Sequence, residues 1–223
     1  MNLKGGSLKV KEIKAFLEAS YNPDPPKELM GYILDDELSG LYGKVYFSNN
    51  LKKVVLIFRG TVENSDWINN GIYATNSAAY TATPRYKEAK QMTNKTLKKY
   101  KGFQFEAVGH SQAGLLAHLN NSDKIKNVFQ LNPAYKNESL SNNEYIIRSS
   151  FDVVSSLTVP KKMLNNILYP NWTKTHLITI PAKSANPIEE HKIDILDRLD
   201  PNMSIGKGAG KKQRKLKGYY ILI

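Results

Sequence analysis

Residues 107–114 read Ala-Val-Gly-His-Ser-Gln-Ala-Gly, and this stretch decides the fold that we expect. It overlaps Phe103–Val108, an apolar run typical of a buried strand, and leads into Gln112–Leu119, which is typical of a short apolar helix. A strand, a sharp turn and a helix in this order are the context of a nucleophile elbow, in which a strained backbone presents a serine. The pattern therefore predicts that Ser111 is a nucleophile.

The elbow needs small residues two positions before and two positions after the serine, because the strand and helix backbones approach closely there. Gly109 meets this requirement in the usual way. Ala113 stands where glycine is more common, and Gly114 follows it. Alanine is still small, so the strand–turn–helix setting favours the elbow over a chance match.

Composition places the chain among ordinary globular proteins. It has 223 residues, 41% of them hydrophobic and 23% charged, with no cysteine. The absence of cysteine excludes disulfides, thiol catalysis and thiolate metal sites. The N-terminus has no apolar signal core and no apolar run is long enough to span a bilayer. We therefore expect a cytoplasmic protein, with virus or membrane association as a further option.

The net charge of +12 is partly local. Residues 207–217 read KGAGKKQRKLK, with six basic residues and no acid. Such a run favours an anionic partner, either a membrane surface or nucleic acid. The alternative is a solvated tail that serves solubility. The closing residues 219–223, YYILI, fit either a last edge strand or a small interfacial anchor.

Strand-like and helix-like segments alternate along the chain, which predicts an α/β fold with a mostly parallel central sheet flanked by helices. Residues 1–205 are expected to form one domain, and residues 206–223 a basic tail with an apolar end. The predicted helices are Val10–Tyr21, Pro84–Tyr100, Gln112–Leu119 and Glu189–Leu199. The predicted strands are Leu41–Phe47, Lys53–Phe58, Phe103–Val108, Ile125–Leu131, Glu144–Ser149 and His176–Ile180.

A serine nucleophile needs a histidine base and a carboxylate that orients it, and after an elbow these follow in the order acid, histidine. His191, at the loop-to-helix junction after the last strand, is the preferred base; His118 is expected on a helix surface and His176 in a structural role. Asp152 directly follows a strand at the carboxyl edge of the sheet, so it is the preferred acid, with a turn cap as the alternative reading. The other candidate acids are Asp123, Glu138 and Glu144, whereas Asp194 and Asp197, on the helix after His191, fit a solvated face.

Two donors are expected for the oxyanion that develops during acyl transfer. The backbone N–H of Gln112 belongs to the elbow. The second donor is expected in the loop after the Lys53–Phe58 strand, where Thr61 offers a backbone N–H and a hydroxyl. This constellation uses no metal and no cofactor.

Taken in order, VVLIFRGT, Asp66-Trp67, GHSQAG, Asp152-Val153-Val154 and a late His191 resemble the class 3 (fungal-type) lipase family. The resemblance implies an α/β-hydrolase fold, Thr61 as an oxyanion residue, the triad Ser111, Asp152 and His191, and a lid beginning near Trp67. Ala113, the short chain and the basic tail depart from the family pattern.

The resemblance implies a serine ester hydrolase, of lipase or phospholipase type, that acts on a lipid-like ester. The alternative is a lipase-like scaffold with weak or no activity that binds an anionic partner through its basic tail. Residues 66–80 mix aromatic and small polar side chains, and they fit either a lid or a segment packed on the core.

Overall fold

The centre of the fold is a strand that is buried on both faces. In the computed structural model, which describes residues 6–60, 80–134, 140–152, 177–206 and the backbone of 220–222, Lys53–Phe58 pairs with neighbours on both sides. Val54, Leu56 and Phe58 point to one face, and Val55 and Ile57 to the other, all with no exposed surface. Burial on both faces requires an unbroken apolar run instead of alternation.

Within the described residues the strands form one nine-stranded sheet whose spatial order is the order of the chain. Neighbours from β4 to β8 are parallel, and those at the two ends of the sheet are antiparallel. The strands are β1 (Glu28–Leu29), β2 (Tyr32–Leu34), β3 (Gly43–Ser48), β4 (Lys53–Phe58), β5 (Gln104–His110), β6 (Ile125–Leu131), β7 (Glu144–Ser149), β8 (Leu177–Ile180) and β9 (Tyr220–Leu222).

Helices cover both faces of this sheet. They are α1 (Val10–Tyr21), α2 (Pro84–Lys99), α3 (Gln112–Leu119) and α4 (Pro187–His191), followed by a 3₁₀ helix (Ile193–Arg198). Side chains of α2 and α3 pack on one face, and those of α1 and the 3₁₀ helix on the other. The shared face of α2 and α3 follows from right-handed crossovers between successive parallel strands. The predicted α/β class, with a mostly parallel sheet flanked by helices, is confirmed. None of the described helices is both long and apolar enough to cross a membrane.

The last predicted helix differs from expectation. Glu189–Leu199 is not one helix, because Lys192 is extended (φ −67°, ψ 158°) and separates α4 from the 3₁₀ helix. This break leaves the carbonyl of His191 available to a side chain from the sheet. At the other end, residues 220–222 pair with β8 as an edge strand; residues 207–219 lie outside the described chain.

A row of polar side chains crosses the sheet near the start of its parallel strands. Lys53 Nζ lies 3.2 Å from a carboxylate oxygen of Glu106, and Asn127 Nδ2 donates to the other oxygen at 2.6 Å. All three residues are buried. Asn127 Nδ2 also donates to Ser7 Oγ at 3.2 Å, and Ser7, from the segment before α1, donates to the carbonyl of Ile205, which follows the 3₁₀ helix. This row therefore ties two distant parts of the chain to the sheet.

Candidate active site

Ser111 lies between β5 and α3 in a backbone conformation that few residues other than glycine adopt, with φ 58° and ψ −128°. Such a conformation costs on the order of 1–3 kcal/mol and persists only where its surroundings impose it. Here Ser111 N donates to Leu131 O at 3.0 Å, and Ser111 O accepts from Gly114 N at 2.9 Å and from Ala134 N at 3.1 Å. The turn predicted at residues 109–113 is therefore a strained elbow fixed to the end of β6.

The small residues around the elbow are required by close backbone contact. A Cβ on Gly109 would lie 2.7 Å from the carbonyl carbon of Ala113, and a Cβ on Gly114 would lie 2.6 Å from Pro133 Cβ. The Ala113 side chain is fully buried in the core formed with α2 and α3. The structure accommodates the alanine at this position, while the strict requirement for glycine falls on residues 109 and 114.

Asp152 and His191 meet at the carboxyl edge of the sheet. His191 Nδ1 lies 2.9 Å from Asp152 Oδ1. The Asp152 carboxylate has no exposed surface, and the His191 side chain is 13% exposed. The chain places Asp152 just beyond β7 and His191 at the end of α4, so sheet order brings together two residues that are far apart in sequence. This contact orients one nitrogen of His191 toward the carboxylate.

His110, the residue before Ser111, joins the elbow to the turn that carries His191. Its Nε2 lies 2.8 Å from the carbonyl of His191, and its Nδ1 lies 2.8 Å from the hydroxyl of Tyr21. Since a carbonyl only accepts, Nε2 carries the proton, and Nδ1 accepts from the phenol. The ring centroids of His110 and His191 are 5.1 Å apart.

The protonation states agree with this assignment. Burial, together with the nearby His191, lowers the pKa of His110 to about 3, so its ring is neutral at physiological pH. Burial raises the pKa of Tyr21 to about 12, so its phenol keeps the proton that it donates. His110 is therefore a fixed neutral link and not a second base.

Arg85, from the first turn of α2, bridges the two backbone segments expected to hold the oxyanion. Its Nη1 donates to Gln112 Oε1 at 2.9 Å, and its Nη2 donates to the carbonyl of Arg59. Gln112 is the first residue of α3, where the backbone N–H groups and the helix dipole favour negative charge. Thr61, the second predicted oxyanion residue, lies outside the described residues.

The other candidates separate clearly. His118 is not the surface residue that was expected: only 12% of its side chain is exposed, and Nδ1 lies 2.9 Å from a carboxylate oxygen of the buried Glu144. Glu144, one of the candidate acids, is therefore paired with His118 and not with His191. His176, Glu138, Trp67, residues 66–79 of the predicted lid and the basic tail fall outside the described part of the chain.

Sequence reasoning missed several residues that position this site. They include Tyr21, Arg85, Asn132, Glu190 and Arg198. Each makes its key contact with a residue from another element, so no local period marks it. The only available signal was adjacency, because Glu190 directly precedes the predicted base.

Comparison with known structures places the fold. The chain is similar to the Lip2 lipase of Yarrowia lipolytica, with 14% identity, a TM-score of 0.51 and coverage of 82% of this chain and 81% of that one. It is also similar to a Rhizomucor miehei lipase in its propeptide complex, with 12% identity, a TM-score of 0.48 and coverage of 70% of this chain; there it spans 63% of the other chain's length.

No protein-family model matches the sequence, and no curated protein is a significant match. At 14% identity, the likeness to the Yarrowia lipase shows the fold alone. The resemblance to fungal class 3 lipases that the sequence motifs indicated is thereby confirmed as a likeness of fold. The chain has the α/β-hydrolase fold of the fungal lipases.

Proposed function

We propose that this protein is a serine ester hydrolase whose nucleophile is Ser111, whose base is His191 and whose orienting acid is Asp152. The observation that carries the proposal is the buried Asp152–His191 contact of 2.9 Å, held against a strained elbow by His110. An elbow alone would be a turn, and an Asp–His pair alone a structural contact. Acyl transfer requires a serine nucleophile and an Asp–His pair in one site, and the hydrogen bond from His110 to the carbonyl of His191, which joins the residue before Ser111 to the turn of the base, supports this reading.

The reaction follows from the roles of these groups. His191 Nε2 takes the proton of the Ser111 hydroxyl as its oxygen attacks the ester carbonyl, while Asp152 accepts the Nδ1 hydrogen and stabilises the imidazolium. The tetrahedral oxyanion is received by the backbone N–H of Gln112 and, in this proposal, by Thr61. Collapse breaks the ester bond, and His191 returns the proton to the departing alcohol. Water then attacks the acyl-enzyme while His191 accepts its proton, and His191 returns that proton to the Ser111 oxygen as the ester bond to the serine breaks and the carboxylic acid leaves.

A lipid-like carboxylic ester is the proposed substrate class. The Yarrowia lipase, which shares the fold, is a lipase by name. The net charge of +12 favours anionic surfaces, which makes a phospholipid ester a specific candidate beside a glyceride. The division at residues 205 and 206, a cytoplasmic location and a tail that contacts an anionic partner stay predictions.

The test compares wild-type protein with Ser111→Ala on nitrophenyl esters of graded acyl length, then on glyceride emulsions and anionic phospholipid vesicles. We expect wild-type turnover, and a loss of at least about 10³-fold in kcat for Ser111→Ala. Ser141→Ala is the matched control, because Ser141 is an exposed serine before β7. Hydrolysis that survives in Ser111→Ala contradicts the assigned nucleophile.

A fluorophosphonate probe tests the nucleophile without a chosen substrate. We expect covalent labelling of Ser111 in wild-type protein and none in Ser111→Ala. Folded wild-type protein that is neither labelled nor active on any ester would instead indicate the binding scaffold. In that case, deletion of residues 206–218 decides whether anionic vesicles or DNA bind through the basic tail.

A further inference from the structure

Glu190, the residue directly before His191, is a fully buried carboxylate with an unusually complete set of donors. One oxygen accepts from the Ser149 hydroxyl and from Arg198 Nη1 at 2.6 Å. The other accepts from Arg198 Nη2 at 3.0 Å and from the backbone N–H groups of Lys183 at 3.0 Å and Ser184 at 2.8 Å. These donors come from β7, from the loop after β8 and from the 3₁₀ helix.

The charge on Glu190 is fixed. Burial on its own would raise the pKa of this carboxyl, but the hydrogen bonds from Arg198, Ser149 and the two backbone N–H groups lower the pKa to about 2. Glu190 is therefore ionised throughout the range in which an ester hydrolase would work. A carboxylate that stays ionised and is fully hydrogen-bonded can hold the backbone around it in place, but it cannot carry a proton.

The backbone carbonyls of Glu190 and of the next residue are held as well. Asn132 Nδ2 donates to the carbonyl of Glu190 at 3.0 Å, and the Asn132 amide oxygen accepts from Ser149 N at 3.1 Å. His110 donates to the carbonyl of His191 at 2.8 Å. Glu190 and His191 are thus fixed through the Glu190 side chain and both of their backbone carbonyls, while the His191 imidazole extends toward Asp152.

We propose that Glu190, held by Arg198, is a positioning residue for His191. It locks the turn between β8 and the 3₁₀ helix so that the imidazole stays in contact with Asp152 beside the elbow. This inference rests on the proposed function, because positioning matters for rate only if His191 is the base. Glu190 itself touches neither the reacting serine nor a substrate.

The first test is Glu190→Gln, with Glu189→Gln as the matched control. Glu189 is the adjacent residue, is exposed, and pairs only with Lys192 at 2.7 Å in the described chain. We expect Glu190→Gln to lower kcat on a nitrophenyl ester by about 10²-fold with KM unchanged, because small displacements of a catalytic group cost that much. Glu189→Gln should keep the wild-type kcat. Rates are expressed per folded, probe-titrated molecule, so that a loss of stability alone does not lower them.

The second test needs no activity. The His191 Nδ1 proton, bound to Asp152, should give a downfield proton NMR resonance in wild-type protein and in Glu189→Gln, and it should broaden or vanish in Glu190→Gln. If all esters fail but this resonance responds as described, the positioning stands and the proposed function fails. If the resonance and kcat are both unchanged in Glu190→Gln, the positioning role is overturned.

A milder variant serves if Glu190→Gln does not fold. Arg198→Lys keeps the positive charge but cannot make two parallel hydrogen bonds to one carboxylate. We expect a kcat below that of wild type and above that of a protein without the Glu190–Arg198 contact, again with KM unchanged. The His191 resonance should be weakened. A folded Arg198→Lys protein with wild-type kcat and resonance would overturn the inference.

Discussion

At the scale of single residues, the elbow depends on positions where no side chain can be accommodated. Ser111 keeps a strained backbone because β6 and the first turn of α3 leave it no alternative path. A Cβ added to Gly109 would lie 2.7 Å from the carbonyl carbon of Ala113, so even a methyl group would collide with backbone. Backbone cannot move aside as a flexible side chain can, so the two glycine-like positions of the motif are not equivalent.

This difference predicts opposite results for two one-carbon changes. Gly109→Ala should abolish fluorophosphonate labelling of Ser111 and lower Tm, because the collision displaces the elbow. Ala113→Gly should keep labelling and cost only about 1 kcal/mol, the usual penalty for glycine in a helix. Labelling stoichiometry and thermal unfolding measure both. A labelled, stable Gly109→Ala protein would show that the elbow tolerates the extra methyl group.

His110 gives the fold a specific sensitivity to acid. Its pKa is about 3 in the folded protein and about 6.5 in an unfolded chain, so between these values the unfolded state binds more protons. Stability should therefore fall as the pH drops below about 6.5, by up to about 1.4 kcal/mol per pH unit from this residue. Urea unfolding at pH 7 and pH 5 measures the loss.

His110→Gln isolates this contribution, because glutamine does not titrate and retains an amide donor. The variant should lose less stability than wild type between pH 7 and pH 5. Glu190 does not affect this comparison. Its pKa is about 2 in the folded protein and about 4.3 in an unfolded chain, so its protonation lowers stability mainly below about pH 4.3. Equal losses in the two proteins would mean that another group controls the acid response.

At the scale of elements, the sequence predicted the buried strands well and the short or interrupted ones poorly. β4, β6, β7 and α3 begin and end where their apolar runs do. β1 and β2, of two and three residues, were missed because they are too short to show a period. They are joined at Met30 and Gly31, both with positive φ, which is the signature of a tight hairpin turn.

The polar row across the parallel strands supplies a test at this scale. Burial raises the pKa of Glu106 despite Lys53, which shows how strongly this carboxylate depends on its partner. Lys53→Met should destabilise the fold by about 3–5 kcal/mol, because it leaves a buried acid unpaired. Lys53→Met/Glu106→Gln should recover much of that loss. Urea unfolding measures both, with the exposed Lys124→Met as control.

At the scale of the whole molecule, the segment before α1 and the segment after the 3₁₀ helix close the fold together. Val10 N donates to Met203 O at 2.9 Å, and Ile205 N donates to Leu8 O at 3.2 Å. Leu8 is completely buried in the core on the α1 face. This closure could not be read from the sequence, since neither segment carries a strand or helix period that would indicate its partner.

Leu8→Ala should therefore lower the free energy of unfolding by about 2–5 kcal/mol, as much as a change at the centre of the sheet, although Leu8 lies near one end of the sequence. Leu41→Ala is the control, because Leu41 is 57% exposed and its loss should change stability by no more than about 0.5 kcal/mol. Urea unfolding compares them. A small effect of Leu8→Ala would show that the terminal segment is not part of the cooperative unit.

The sequence marked Ser111 and Asp152 as candidates because each stands beside a strong local signal. Ser111 follows a strand, and Asp152 follows the IIRSSF run. The supports were not predictable. The contacts of Tyr21 with His110 and of Glu190 with Arg198 depend on how α1 and the 3₁₀ helix pack on the sheet. Neither residue propensities nor hydrophobic periodicity indicate that packing.

The strands of the sheet stand side by side in the order in which a ribosome makes them. Each new strand can therefore join the edge left by the one before, without waiting for a later strand to be inserted between two earlier ones. Ser111 follows the fifth strand and the contacts that fix its elbow come from the sixth, whereas the proposed base and the arginine proposed to hold its turn emerge only after the eighth. Under the proposed function, we expect a nascent chain to form the elbow before it contains the histidine needed to hydrolyse an ester.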